Sequence, residues 1–306
     1  MTTLVFGHKA PDTDSLGSAL IWAWYLSEIK GEAAEARLLG TPNTEAAFVA
    51  ERWGFTQPEI IADVADDQPC VIVDTNNPAE LPANINNADI QAIIDHHKLV
   101  GGIETKGPIN ITIRPLACTA TIMHNLMGPN AEKLSDPVKG LILSCILSDT
   151  LEFRSPTTTD QDRALAEKLA GDLGISIPDY AAEMFAAKSD VSAFSAAELL
   201  RMDSKEYEVE GVKFRVSVLE TTSPKIVLDR KAELMEAMPG VAGDDKVNEV
   251  LLFVVDILAE EATLLVPNDL TKRVAQASFG AEPTGDTVVL PGVMSRKKQI
   301  IPNLKL

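Results

Sequence analysis

Apolar residues in the first half of the chain fall into short β-branched runs separated by longer amphipathic stretches. Thr3–Phe6, Cys70–Val73 and Ala92–Ile94 read as strands, and Arg37–Leu39 as a shorter one. Between them, Ser15–Ile29 has apolar positions at Leu16, Ala19, Leu20, Ala23 and Trp24, the spacing of one helix face. Thr44–Trp53 and Thr119–Met127 also read as helices, Pro137–Leu147 as a buried helix, and Asp160–Leu173 as a helix closed by Gly174. Strands alternating with helices predict a mostly parallel sheet flanked by helices.

The texture changes near AAKSDVSAFS, where small and polar residues replace the apolar periodicity. This predicts two domains, 1–188 and 195–306, with 189–194 as a linker. In the second, Glu206–Glu220 alternates like a hairpin turning near Gly211. Val250–Ile257, Leu264–Val266 and Val288–Leu290 read as further strands, and Leu228–Met238 and Leu270–Ser278 as helices. The expected fold class is α/β, an N-terminal parallel-sheet domain followed by a smaller α+β domain.

Charge narrows the choice of partner. The formal net charge of −18 disfavours nonspecific nucleic-acid binding, which needs a basic surface. A small anionic substrate remains open, provided metal ions or clustered Lys and Arg offset the global field. No apolar run reaches the ~18 residues of a membrane helix. MTTLVFGHK lacks the basic and apolar regions of a signal peptide, so cytoplasmic residence is expected. The three cysteines, Cys70, Cys118 and Cys145, form no CxxC pattern and read as reduced core residues.

Candidate chemistry gathers at the ends of the predicted strands, where open α/β sheets bind ligands. After Thr3–Phe6 come His8, Asp12 and Asp14; after Cys70–Val73 comes Asp74; after Ala92–Ile94 come Asp95, His96 and His97. Asp149 stands at the far end of the buried helix, where the macrodipole disfavours an anion by roughly 0.3–1 kcal/mol. Taken singly, each has a plain explanation. Asp14 could cap a helix starting near Ser15, Asp74 a turn before Asn76-Asn77-Pro78, and His96-His97 could face solvent. Three of the chain's four histidines lie in these motifs, and together they argue for divalent transition-metal ligation. The absence of cysteine from the motifs weighs against a structural zinc site. His124 has no such companions and reads as structural.

With these motifs assembled, the chain resembles the DHH phosphoesterase superfamily, named for a triplet that here is Asp95-His96-His97, and within it the manganese-dependent, family II inorganic pyrophosphatases. The matching stretches are GHKAPDTDS at 7–15, VDTNN at 73–77, IDHHK at 94–98, CTATI at 118–122, SDT at 148–150, SPTTTDQD at 155–162, DSKEY at 203–207 and SRKKQ at 295–299. One departure is Thr75, where many members carry histidine; it puts in doubt a substrate or supporting role at that position, not the role of Asp74.

The resemblance implies two Mn²⁺ ions, with Co²⁺ or Mg²⁺ as substitutes and a further metal entering with substrate. His8, Asp12, Asp74 and Asp149 would hold one ion, and Asp14, Asp74, His96 and Asp149 the other. It further implies that Lys205, Arg296 and Lys297 bind phosphate oxygens and that His97 faces the substrate, with the active site in the cleft between the domains. The expected reaction is hydrolysis of pyrophosphate to two orthophosphates by a hydroxide bridging the metals, in a cytoplasmic homodimer. A DHH phosphodiesterase acting on short oligonucleotides or cyclic dinucleotides is the rival. Against it stand the acidic charge, the 5% aromatic content and the lack of a GGGH-like segment. A non-catalytic ion-binding module would not need a separate Arg-Lys cluster.

Overall fold

The computed structural model describes residues 1–306. Contacts divide the chain into two compact units, Met1–Ala187 and Lys188–Leu306.

The first unit contains, in chain order, β1 (Thr3–Phe6), α1 (Thr13–Trp24), β2 (Ala34–Ala36), α2 (Thr44–Arg52), β3 (Pro69–Val73), β4 (Asp89–Asp95), β5 (Asn110–Ile113), α3 (Thr119–Met127), α4 (Asp136–Thr150), α5 (Asp160–Leu173) and α6 (Ile177–Lys188). The sheet order is β2-β1-β3-β4-β5, and every pair is parallel. The chain therefore leaves β1 toward one side and reaches β3 on the other, so a topological switch point lies between them, where α/β sheets bind ligands. Phe6 is level with Ile72, and Val73 with Ile94, so the carboxyl ends of β1, β3 and β4 come out together. Phe6, Cys70, Ile72 and Ile90 bury one apolar layer against Val64, Leu81 and Ile85 from the connecting turns.

Several elements differ from the sequence expectation. β2 lies at Ala34–Ala36 rather than Arg37–Leu39, because its pairing partner Thr3–Val5 sets the register; Leu38 makes only an isolated bridge to Ile60. α1 begins at Thr13, so its cap is Asp12, whose Oδ1 accepts from Ser15 N, and Asp14 lies inside the first turn, not at the cap. β5 and α6 are additional. Buried residues surround α4, as its apolar sequence demands, and it ends in three consecutive left-handed residues, Leu151, Glu152 and Phe153.

The second unit holds α7 (Ala196–Met202), β6 (Ser204–Val209), β7 (Val212–Thr221), α8 (Pro224–Leu228), α9 (Lys231–Asp244), β8 (Glu249–Asp256), β9 (Glu261–Leu265), α10 (Asp269–Phe279) and β10 (Thr287–Pro291). Its mixed sheet runs β10-β9-β8-β7-β6, with β7 and β8 parallel and the other pairs antiparallel. The β6–β7 hairpin turns at Glu210-Gly211, both with positive φ (51° and 80°), as a two-residue connection with right-handed strand twist requires. Two helices replace the single Leu228–Met238, and α9 continues through Pro239 because Val241 and Ala242 beyond it are buried. One apolar layer joins α7 and α9 to the sheet, and a second joins α10 and the C-terminal residues Ile300 and Leu304 to it.

Candidate metal centre

Each predicted donor sits just past a strand or at a helix end. Gly7 follows β1, and a Cβ there would lie 2.0 Å from Ser15 Oγ, so only glycine lets the chain pass α1 this closely. The same hydroxyl receives His8 N at 3.1 Å, which fixes where the imidazole begins. His8 Nε2 lies 3.4 Å from Asp74 Oδ2 and 3.7 Å from Asp12 Oδ1. Asp74, directly after β3, is 1% exposed and adopts a left-handed φ of 56°, a strained conformation for a non-glycine residue that recurs at functional sites. Its other oxygen, Oδ1, lies 3.4 Å from His96 Nε2 and accepts from Thr119 Oγ1 at 3.0 Å.

Asp14 faces inward from α1, where Ser18 Oγ donates to Oδ1 at 3.1 Å. Thr119 N and Ala120 N, at the start of α3, donate to its two oxygens at 2.6 and 3.2 Å, so a helix N-terminus holds this carboxylate. His96 donates from Nδ1 to Leu116 O at 3.2 Å, which turns Nε2 toward the carboxylates. Its Nε2 is 4.0 Å from Asp149 Oδ2. The loop carrying Leu116 is held in turn by fully buried Asp162, which accepts from Ala117 N at 3.0 Å.

Three groups of donor atoms therefore form, each within 4.8 Å: His8/Asp12/Asp74, Asp14/His96/Asp149 and Asp74/His96/His97. The first two take in all six predicted ligands. Asp149 joins only the second of them, whereas Asp74 reaches toward both histidines. His97 has a half-exposed side chain whose Nδ1 donates to Asp95 Oδ1 at 2.9 Å. It lines a cavity of about 520 Å³ with Asp12, Asp74, His96, Asp149 and Thr157. Asp95 is buried beneath the site, where it also accepts from Asn76, rather than among the donors. Thr75 is buried and donates to Glu80 Oε2 at 2.6 Å. His124 belongs to none of the groups, and all three cysteines are free and buried.

The protonation pattern tests whether a cation suits these residues. Burial, reinforced by the charge of Asp74, pushes the Asp14 carboxyl up to about 7. Burial also opposes ionisation of Asp74, but hydrogen bonds with His8 and His96 hold it below the usual carboxylate range. Burial opposes charge on His96, yet Asp74 and Asp14 draw it up to about 9. Protons thus compensate adjacent buried carboxylates, a role that divalent ions perform better. The donors are oxygen and imidazole nitrogen with no thiolate, a set that fits Mn²⁺.

In the second unit, Lys205 on β6 and Arg296 and Lys297 past β10 line a separate cavity of about 480 Å³ with Asp203, Tyr207 and Glu220. Arg296 is held by Asp203 twice, Nη1 donating to its carbonyl at 2.8 Å and Nη2 lying 2.7 Å from Oδ1. Gln299 Oε1 accepts from Met294 N and Ser295 N, pinning the turn that presents the cations.

Sequence reasoning gave no role to Thr119, Asn76, Asp162 or Ser18. The matched stretches CTATI, VDTNN, SPTTTDQD and the helix after GHKAPDTDS were the signals that could have found them.

The class and the family follow from comparison with known proteins. The DHH family N-terminal domain matches residues 2–148 and the DHHA2 domain residues 182–306. A Deinococcus radiodurans protein described as a probable manganese-dependent inorganic pyrophosphatase is 39% identical, covering 98% of this chain and 97% of its own length. A Lactobacillus acidophilus protein of the same description is 34% identical over 98% and 96%. A Methanococcus jannaschii crystal structure described as that of a "putative family II inorganic pyrophosphatase" superposes with a TM-score of 0.62 at 32% identity, covering 99% of this chain and 98% of that one. The chain belongs to the manganese-dependent, family II inorganic pyrophosphatases of the DHH superfamily. No helix is long and apolar enough to cross a membrane.

Proposed function

We propose that this chain hydrolyses inorganic pyrophosphate to two orthophosphates at a dinuclear manganese centre. The observation that carries the reading is Asp74, which offers one oxygen toward His8 and the other toward His96. His8, Asp12, Asp74 and Asp149 would hold one ion, and Asp14, Asp74, His96 and Asp149 the other, with Asp74 and Asp149 as bridges. Co²⁺ and Mg²⁺ suit the same oxygen-rich donors, and a further ion entering with substrate belongs to the same reading. Such an ion pair neutralises phosphate charge and lowers the pKa of water from 15.7 to about 7.

The chain's own residues supply the rest. Asp95 accepts the Nδ1 proton of His97 and raises its pKa, so Nε2 keeps a proton to give to the departing phosphate oxygen. Arg296, fixed by Asp203, would give phosphate a charge-assisted hydrogen bond, while Lys205 and Lys297 add compact charges. The free β5 edge, with Ile111 55% exposed, supports a homodimer, which light scattering would detect. The three free thiols support cytoplasmic residence, and the net charge of −18 supports a small anion over nucleic acid.

Purified protein with Mn²⁺ should release orthophosphate from pyrophosphate, and Asp74→Asn should fall to background. Wild-type turnover in that variant, or preference for a dinucleotide in the parent, would refute the reading.

A further inference from the structure

The two motifs that bring Asp12/Asp14 and Asp149 to the centre are joined by a residue that lies outside the donor groups and does not line the cavity. Glu45 lies in the first turn of α2, a favourable place for an anion, and is fully buried. Its Oε2 accepts from Thr13 Oγ1 at 3.1 Å and from Ser148 Oγ at 2.8 Å. Thr13 stands between Asp12 and Asp14, and Ser148 directly precedes Asp149. One carboxylate oxygen therefore spans the start of α1 and the end of α4.

We propose that Glu45 is a positioning residue that sets the distance between the Asp12–Asp14 turn and Asp149, and thereby the metal affinity of the centre. The surroundings leave this task to a specific bond. α1 and α4 already pack at closest approach, since a Cβ on Gly17 would lie 2.4 Å from Cys145 Sγ. Cys145 Sγ also reaches Thr13 O at 3.4 Å. That contact fixes how near the helices lie, but not the rotation of the last turn of α4, where Asp149 precedes the left-handed residues 151–153. The Ser148 hydroxyl bond to Glu45 ties that turn, beside Asp149, to the start of α1. A buried carboxyl group that accepts from two hydroxyls is also costly to move, because a buried polar group that loses a hydrogen bond regains none from water. Residues that orient metal ligands in this way typically govern affinity by about 10–100-fold.

The inference rests on the reading of the centre as a manganese site, and calorimetric titration with Mn²⁺ alone separates the two. Parent protein that takes up no Mn²⁺ removes that reading, and the inference falls with it. Given binding in the parent, Glu45→Ala should weaken Mn²⁺ affinity about 10-fold or more, and Glu45→Gln, which keeps an acceptor oxygen, should recover most of the loss. Ser148→Ala breaks only the α4 side and should weaken binding in a protein whose circular dichroism is unchanged, so it decides the matter if Glu45→Ala fails to fold. Parent affinity in folded Glu45→Ala or in Ser148→Ala would overturn the inference, because a residue that only stabilised the fold would lower the melting temperature without changing affinity.

Discussion

At the scale of single residues, Asp14 and His96 make the metal-free centre hold protons. The Asp14 carboxyl is raised from 3.8 to about 7, so the folded chain binds this proton more tightly than the unfolded one. The stability it contributes is complete below pH 3.8 and is lost as pH rises through 7. His96, raised from 6.5 to about 9, has the same sign: its contribution is complete below pH 6.5 and is lost as pH rises through 9. Asp74 has the opposite sign, its contribution present above the ordinary carboxylate range and lost as pH falls below it. On the proposed function Mn²⁺ would displace the protons of Asp14 and His96, so the thermal shift it produces should grow from pH 5 to 8. An equal shift across that range would contradict this account of the cluster. The donors were legible in the sequence because histidine is scarce here and three of the four follow strand-like runs. Their supports were not. Thr119 meets Asp14 across 105 positions, and Glu45 meets Ser148 across 103, so nothing local marks a common threonine or glutamate as part of the centre.

At the scale of elements, α6 docks through a short polar junction in an otherwise apolar interface. Trp53 Nε1, just past α2, donates to Tyr180 Oη at 2.7 Å and to Ser144 Oγ at 3.1 Å. Ser144 donates to Gly140 O at 2.7 Å, which leaves the Tyr180 hydroxyl to donate to Ser144 at 2.6 Å. Burial pushes this phenol from 10 up to about 12, so its contribution is complete below pH 10 and is lost as pH rises through 12, by up to ~3 kcal/mol. Alkaline unfolding of Tyr180→Phe should lack that component. Gly140 lies flat under the indole, where a Cβ would come within 2.1 Å of Trp53 Cδ2. Gly140→Ala should therefore lower stability by ~1–3 kcal/mol in urea titrations, and an unchanged midpoint would show that the indole yields freely. Elements whose apolar period is self-contained were readable in advance, as with β1, β3 and the buried α4. β2 was misplaced because Ala34-Glu35-Ala36 has a weak pattern and becomes a strand by pairing with β1, whereas β5 was missed although Asn110-Ile111-Thr112-Ile113 carries β-branched residues, a run of only four that becomes a strand by pairing with β4. The parallel β7–β8 pair depends on a crossover through α8 and α9 that no local pattern encodes.

At the scale of the whole molecule, the candidate chemistry divides between the two units, carboxylates and imidazoles in the first and a cluster of lysine and arginine in the second. The proposed function makes these roles separable by experiment. Arg296→Ala should leave Mn²⁺ affinity at the parent value while kcat/KM for pyrophosphate falls about 10–150-fold, the worth of one charge-assisted hydrogen bond. A joint loss of affinity and turnover would mean that the arginine acts through the metal centre instead. Asp74 gives the first unit a further property. Because the same carboxylate faces both donor groups, an ion held in one of them would change the field and the side-chain angle offered to the other. On the proposed reading the two manganese sites are therefore coupled through one side chain, and a Mn²⁺ titration should not fit two independent, identical sites.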